Sequence, residues 1–237
     1  MKKLLLLFLL PFLSTPLLAE GFNDNYLQLG YSTSDYKHTD KITNVSGSVE
    51  FGNNYLLSGS YSYEKGDWND PGEYETKTLK KISIGVEKYF PLNSTTDITS
   101  SLSYYDWDTT GTTKSLTTNI TTSRTPFKAD FSLISIGIRS LTAAGFEISL
   151  KNTWGRYRNP TKYSYYVPSI KVRNISDSGL ESSFEYSKTS EILNIRQSRL
   201  ELKLIKPINK NFAIGGRFLS VKQPDWTEKG VFVRRSF

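Results

Sequence analysis

Apolar and polar residues alternate with period two along most of the chain, in segments of about ten residues separated by turn-forming residues. Within residues 26–32, every second residue from Leu27 to Tyr31 is apolar, and the residues between them are small or polar. This pattern predicts strands with one apolar and one polar face. The twelve predicted strands lie near residues 26–32, 44–51, 57–64, 81–87, 98–104, 127–141, 146–150, 163–175, 180–186, 199–204, 212–218 and 229–237.

Two of these segments depart from simple alternation. In residues 127–141 the apolar face changes parity between Phe131 and Ile134, which predicts a β-bulge. Pro168 removes a backbone donor from the segment that contains it, and prolines are uncommon inside sheets. If residues 163–187 form a loop, the count falls from twelve strands to ten. The fold class is all-β on either count.

The connections between predicted strands alternate in length. The connections after even-numbered strands are short, at residues 52–54, 91–94, 142–145, 176–179 and 206–211. Those after odd-numbered strands are mostly longer and polar, above all 65–75 and the Thr-rich 108–125. The Thr-rich segment either extends a hairpin, folds into a mouth or stays mobile. Such asymmetry is typical of a closed antiparallel transmembrane β-barrel, with short turns at one end and loops at the other.

Aromatic residues make up 14% of the chain, while hydrophobic residues reach only 37%. Low hydropathy with many aromatics fits a barrel that is apolar outside and polar inside. The pattern predicts two lipid-facing aromatic belts, one at each rim. The first rim contains Trp68, Trp107, Trp154 and Trp226, and the second contains Phe51, Tyr55, Tyr89, Phe90, Phe146, Phe212 and Phe237.

The N-terminus has the pattern of a secretory signal peptide. Lys2 and Lys3 precede the apolar run Leu4–Leu13, and Ala19 ends a cleavage motif. The run is too short to cross about 30 Å of hydrocarbon as a helix. We therefore expect a signal peptide over residues 1–19.

The remaining residues 20–237 form one expected domain, the β-barrel itself. Removing two lysines lowers the formal net charge from +7 to +5, a modest excess that by itself identifies no partner. The chain has no cysteine, which excludes thiol catalysis and cysteine-based metal sites.

Taken together, the leader, the alternating strands, the aromatic rims and the terminal Phe237 resemble the small porin-like outer-membrane β-barrel proteins of Gram-negative bacteria. A twelve-stranded member is similar to the channels that pass acidic oligosaccharides and sialic acid. The resemblance implies an outer-membrane location, with membrane lipid, lipopolysaccharide and the barrel assembly machinery as partners. It also implies that Phe237 is the C-terminal assembly signal. Arg235 departs from the pattern, since this position more often carries an aromatic or aliphatic residue.

The predicted inward face indicates function. Its basic residues in the second half of the chain are the predicted pore lining: Lys151, Lys171, Arg173, Arg199, Lys203, Arg217 and Arg234. Small inward residues in the first half favour a water-filled passage with a basic wall. We therefore predict a passive channel for small hydrophilic solutes, with anions as the favoured class. The alternatives are a lumen plugged by salt bridges, and a closed barrel with a structural, adhesive or surface-interaction role through loops 65–75 and 108–125.

Other chemistry has little support in the sequence. His38 is the only histidine and lies in a polar loop with Asp35 and Asp40, which is a poor scaffold for a catalytic triad. The acidic segment 67–75 offers oxygen ligands but lacks the spacing of a known calcium loop. We predict no enzyme activity, no catalytic residue, no cofactor, no metal and no nucleic-acid partner.

Overall fold

The computed structural model describes residues 24–35, 40–52, 54–70, 72–123, 126–158, 163–190, 197–223 and 225–237, without the side chains of residues 68–70 and 163. These residues form thirteen strands: β1 Tyr26–Ser34, β2 Asp40–Phe51, β3 Tyr55–Asp70, β4 Glu73–Pro91, β5 Thr96–Ser115, β6 Thr121–Ser123, β7 Phe127–Leu141, β8 Phe146–Tyr157, β9 Tyr163–Ile175, β10 Glu181–Lys188, β11 Ser198–Pro207, β12 Phe212–Lys222 and β13 Trp226–Ser236. Within the described ranges, no helix is long and apolar enough to cross a membrane.

Twelve of the strands form one closed antiparallel barrel. Each strand pairs with its neighbours in chain order, except that β7 follows β5 directly because β6 pairs only with the end of β5. The ring closes where β1 pairs with β13, from Tyr26 opposite Ser236 to Ser34 opposite Glu228. Closure leaves no free edge in the twelve-stranded ring, as a hydrocarbon environment requires. The predicted twelve-stranded barrel is therefore confirmed.

The uncertain region around Pro168 is strand. Pro168 lies one residue beyond the last β9–β10 pair, Ser169 opposite Ser187, so the missing N–H interrupts no ladder on that side. Beyond this pair, Ser190 binds the backbone of β9. Its N–H donates to the Tyr166 carbonyl (2.7 Å), and its hydroxyl accepts from the Tyr166 N–H (2.9 Å). The ten-strand alternative is wrong.

The predicted bulge in β7 is also wrong. β7 pairs in unbroken register with β5, from Phe127 opposite Thr109 to Ser140 opposite Thr96, and with β8. The apparent change of parity has another cause: Phe131 is apolar but faces the interior, while Ile134 faces outward. Because apolar residues lie on both faces of β7, the sequence pattern looks the same as one produced by a bulge.

The two ends of the barrel differ as predicted. We call the end with the turns at 52–54, 92–95, 142–145, 176–180 and 208–211 the short-turn end, and the opposite end the hairpin end. At the hairpin end, residues 65–75 form a hairpin of β3 and β4 rather than the predicted loop, paired as far as Asp70 opposite Glu73. Part of the Thr-rich segment extends a hairpin, because β5 runs to Ser115 and β6 pairs with it.

The apolar core lies inside the barrel. Side chains that face outward are well exposed, as expected for a surface that contacts lipid, with Leu29 and Val231 as examples. The buried apolar side chains instead occupy interior-facing strand positions: Ile42, Leu79, Tyr89, Ala129, Phe131, Ile205, Leu219, Val221 and Phe232. The interior therefore combines polar side chains with a packed apolar core.

The aromatic belts are only partly as predicted. Trp154 is exposed on the outer face, beside Tyr166. Trp107 instead turns inward, where its ring meets the Phe131 ring edge-on at 5.0 Å. Trp226 lies on the interior face, because it is two residues before the buried Glu228 on the same strand. The side chain of Trp68 lies outside the described part.

At the short-turn end, the ring of Tyr89 is also interior and stacks under the Arg139 guanidinium, 4.1 Å from the ring centroid. Phe90, its neighbour, is exposed on the outer face as predicted. Near the hairpin end, outward tyrosines supply much of the belt: Tyr31, Tyr61, Tyr63, Tyr104 and Tyr186.

Candidate functional site in the barrel lumen

All seven basic residues of the predicted pore lining lie at interior-facing positions of β8 to β13. They form two groups. Arg199, Lys203 and Arg217 share one cluster towards the hairpin end. Arg173 and Arg234 lie at the short-turn end, and Lys151 and Lys171 lie between the groups. Their role in an open pore stays a prediction.

Glu201 is the centre of the first group. Its carboxylate accepts from Arg199, from Lys203 and from Arg217, the last at 3.3 Å. Arg217 also binds Glu228 (2.9 Å), which accepts from the Ser32 hydroxyl across the closing β1–β13 seam at 2.7 Å. Three cations therefore surround the buried carboxylate of Glu201, and one of them also pairs with Glu228.

A second cluster lies on the wall formed by β3 and β4. Lys77 and Lys81 bind the two oxygens of Glu64 at 3.1 and 3.0 Å. Gly66 makes room for a further carboxylate, because a Cβ there would lie 1.6 Å from an Asp40 oxygen. Lys81 is the first residue of the predicted strand 81–87, whereas Lys77 lies before that strand and its place in the barrel wall was not predicted.

Cations are more exposed than their acidic partners in both clusters. The side chain of Arg199 is 47% exposed and that of Glu201 is 6% exposed. In the second cluster, Lys81 is 35% exposed and Glu64 is 9% exposed. The carboxylates thus lie against the wall, and the cations lie between them and the water of the lumen.

At the short-turn end, a network of ion pairs crosses the lumen. Asp24, just before β1, binds Arg173 of β9 at 2.9 Å and approaches Arg139 of β7 at 3.9 Å. Arg173 also binds Glu181 (2.8 Å), and Glu181 in turn binds Arg234 at 3.3 Å. We call these residues, together with Asp97, which binds Arg139 at 2.7 Å, the floor network.

The segment that carries Asp24 is fixed to the barrel. The Ser48 hydroxyl donates to the Asp24 carbonyl, and the Glu50 N–H donates to the Asn25 side-chain oxygen at 2.6 Å. The Phe237 N–H donates to the Asn25 carbonyl at 3.3 Å. The residues just before β1 and the C-terminal Phe237 therefore meet at the short-turn end. No sequence pattern indicated this, because the contacts exist only after the ring has closed.

A set of aromatic rings covers one wall of the lumen, and sequence reasoning missed it. Tyr105, Phe131 and Tyr157, on the neighbouring strands β5, β7 and β8, stack in series with ring centroids 4.7 Å apart at each step. Tyr165 of β9 follows at 5.9 Å from Tyr157, and Trp107 packs edge-on against Phe131 and Tyr157. We call these five rings the aromatic band.

The structure describes the other candidate sites of the sequence only in part. His38 lies outside the described residues. Asp67 accepts a hydrogen bond from the Tyr74 hydroxyl across the β3–β4 hairpin at 3.0 Å, a structural contact. Among the residues that the structure describes, no group of three or more acidic or histidine side chains is placed to hold a metal ion.

No protein-family model matches the chain, and no curated protein sequence matches it. Solved structures do match its fold. The KdgM porin in complex with disordered oligogalacturonate has 14% identity and a TM-score of 0.57, over 90% of this chain and 99% of that one. The NanC porin has 8% identity and a TM-score of 0.61, over 89% and 100%.

Autotransporter barrels match as well. The transport unit of the autotransporter AIDA-I from Escherichia coli has 11% identity and a TM-score of 0.61, over 99% of this chain and 97% of that one. At such low identities, the likeness establishes a shared fold. The predicted resemblance to porin-like outer-membrane barrels is thus confirmed at the level of architecture.

Proposed function

We propose that this protein is a passive outer-membrane channel for small hydrophilic solutes, with a preference for anions. The fold shared with the KdgM and NanC porins supports the channel and the outer-membrane location. In this orientation the short-turn end faces the periplasm, because short turns and long outer hairpins are the asymmetry of such barrels. Lipopolysaccharide, membrane lipid and the assembly machinery are the partners that this location implies.

The preference for anions is carried by one observation, the unequal exposure within the ion pairs of the Glu201 and Glu64 clusters. Interior residues carry both signs of charge, so a count of charges alone favours neither sign. Arg199 stands 47% exposed in front of Glu201, and Lys81 likewise stands in front of Glu64. A solute beside these two clusters therefore meets cationic groups first, and such a field raises the local concentration of anions.

The floor network sets the size limit of the proposed channel. Asp24 reaches from the β1 side to Arg173 and Arg139 on the far wall, so it divides the passage at the periplasmic end. Solutes must pass beside these ion pairs or displace them. We expect slow passage of small solutes and exclusion of large ones.

Solute flux into proteoliposomes tests this proposal. Three solutes of similar size and different charge are compared: lactate, glycerol and ethanolammonium. We expect the fastest uptake for lactate, and we expect Arg199→Gln with Lys81→Gln to reduce that preference. The matched control is Lys188→Gln with Lys222→Gln, because these lysines are exposed on the outer side of the wall. Equal uptake by both pairs of variants, or fastest uptake of the cation, would refute the anion preference.

A second function is favoured by the same floor network and by the interior core. Ion pairs across the lumen and buried interior side chains such as Leu219 and Val221 also suit a closed barrel with a structural or surface role. In that case the β3–β4 and β5–β6 hairpins would carry the interactions. Protein that inserts fully folded but passes none of the three solutes would favour this function.

A further inference from the structure

Gly216 leaves a gap in the outward-facing surface of the barrel. It lies at an outward position of β12, and its neighbours across the strands are Leu204 on β11 and Val231 on β13. A Cβ at Gly216 would meet only the Gly230 carbonyl oxygen, at 3.9 Å, so the space above it is open. Val231, beside this gap, is 66% exposed, more than any other large apolar residue of the described part. The gap is therefore about one side chain deep.

The gap belongs to an apolar groove of about 670 Å³ that crosses β1, β13, β12 and β11, close to where the ring closes. Exposed apolar side chains line it, with Leu29, Ile214 and Val233 among them. On the lumen side of the same wall, the buried ring of Phe232 packs over Gly215. The groove therefore opens outward, away from the lumen, and we call it the outer groove.

The outer groove carries positive charge towards the short-turn end. Lys206 on β11 lies opposite Ile214, and among the described residues that line the groove it alone is charged. Arg235 faces outward on β13, and its guanidinium lies 5.9 Å from the centroid of the Phe212 ring on β12, so it leans towards β11. Two strand spacings, about 10 Å, separate β13 from β11. Two long basic side chains can reach one phosphate group across that distance.

We propose that the outer groove binds one phospholipid with an anionic head group from the periplasmic leaflet, an inference that rests on the proposed outer-membrane location. One acyl chain fills the gap at Gly216, and the head-group phosphate lies between Lys206 and Arg235. Four residues of β13, about 13 Å of strand, separate Arg235 from Val231 at the gap. Since half of the hydrocarbon core is about 15 Å thick, a lipid whose phosphate is at Arg235 has its acyl chains beside the gap.

Charge favours a lipid over a second copy of the chain as the occupant. A two-fold contact through the outer groove would bring the same patch of both copies together, so Lys206 and Arg235 would meet the same cations of the other copy. An anionic phospholipid instead supplies the opposite charge and an apolar chain. The groove and its two cations thus match one ligand class in both of its parts.

Native mass spectrometry of the purified protein in detergent tests the site. The probe is dioleoylphosphatidylglycerol. Dioleoylphosphatidylcholine supplies the same chains without the net negative charge, and glycerol 3-phosphate supplies the phosphate without chains. We expect saturable binding of one phosphatidylglycerol per barrel, binding of phosphatidylcholine that is weaker by about fivefold or more, and no binding of glycerol 3-phosphate. Equal affinity for the two lipids would overturn the proposal, as would the absence of saturable binding by phosphatidylglycerol.

Matched variants locate the binding. Gly216→Leu fills the gap and should weaken both lipids by about tenfold. Lys206→Gln and Arg235→Gln should each weaken phosphatidylglycerol by about fivefold and leave phosphatidylcholine unchanged. Lys88→Gln is the control, because Lys88 lies over the Tyr55 ring at the short-turn end, on β4 and away from the groove.

Three further outcomes decide against the site or separate it from the channel. Equal phosphatidylglycerol affinity in Lys206→Gln and Lys88→Gln, with both proteins folded by heat-modifiable migration, would contradict the site. A dimer that Gly216→Leu dissociates would show that a second copy covers the outer groove instead. Lipid binding by a protein that passes no solute would defeat the channel but leave the lipid site in place, and solute flux without lipid binding would do the reverse.

Discussion

The carboxylate of Asp24 lies 2.9 Å from the guanidinium of Arg173, although four strands separate β1, which Asp24 precedes, from β9, which carries Arg173. The pair spans the lumen instead of running along its wall. It forms only once β1 and β13 have closed the ring. The residues just before β1 are thus part of the floor network at the short-turn end.

Removing this contact should widen the passage. In Asp24→Ala, Arg173 keeps Glu181 and Arg139 keeps Asp97, so the wall remains paired while the crossing contact is lost. We expect higher single-channel conductance and faster uptake of lactate. Asp225→Ala is the control, since Asp225 is an exposed carboxylate outside the lumen. Unchanged conductance in Asp24→Ala would show that the constriction lies elsewhere.

Glu201 should be important for stability and should also limit the anion preference. Glu201→Gln leaves Arg199, Lys203 and Arg217 together without their shared carboxylate. Because these cations are partly exposed to the lumen, the loss is that of charged hydrogen bonds rather than of a fully buried ion pair, so the free energy of unfolding should fall by about 1.5–3 kcal/mol. The same variant should shift the reversal potential further towards the anion. Urea unfolding in lipid vesicles and a salt-gradient recording measure the two effects. A variant with unchanged stability would contradict this role of Glu201.

Two adjacent glycines of β12 should respond differently to a methyl group. A Cβ on Gly215 would lie 2.3 Å from the Phe232 ring and 2.8 Å from the Leu204 carbonyl oxygen, whereas a Cβ on Gly216 meets only the Gly230 carbonyl oxygen at 3.9 Å. Gly215→Ala should destabilise the barrel by about 1–3 kcal/mol through overpacking. Gly216→Ala should be neutral or slightly stabilising, because it restricts the unfolded chain. Thermal unfolding followed by gel migration compares them, and equal transitions would contradict the packing of Phe232 over Gly215.

Deletion of Phe237 should impair assembly in cells more than refolding of the purified protein. Its N–H makes one hydrogen bond to Asn25, at 3.3 Å, and the β1–β13 ladder ends at Ser236. The β1–β13 ladder therefore stays complete without Phe237, while the resemblance to outer-membrane barrels implies that Phe237 is a recognition signal. Fractionation of cells and refolding yield in detergent measure the two effects.

The Arg235→Tyr variant should assemble as well as the wild-type protein or better, since the substitution moves the end of the chain towards the usual pattern. If truncated and full-length chains reach the outer membrane equally well, Phe237 is not the assembly signal.

The alternation of apolar and polar residues with period two was sufficient to predict the strands, because lipid-facing positions must be apolar along every strand. It was also sufficient to predict on which side of the barrel wall most charged residues lie. The prediction for Trp107 was wrong. Alternation along β5 places Trp107 on the same inward face as Ser101 and Ser103, but its aromatic character suggested a lipid-facing belt. Aromatic residues suit both a lipid interface and a packed interior, so parity should have decided.

Other features could not be predicted from local sequence. Lys77 lies where β4 continues beyond the apolar alternation, so nothing in its neighbourhood indicated a strand. The contact of Asp24 with Arg173 depends on the diameter and closure of the barrel. The burial of Glu201 behind Arg199 depends on side-chain packing in three dimensions.

Planar-bilayer recording of the purified wild-type protein under a potassium chloride gradient tests the channel itself. We expect discrete conductance steps and a reversal potential displaced towards that of chloride, because Arg199 and Lys81 stand in front of their carboxylates. Folded protein that inserts without conductance would contradict a channel, and a reversal potential displaced towards that of potassium would contradict the cationic lining of the lumen.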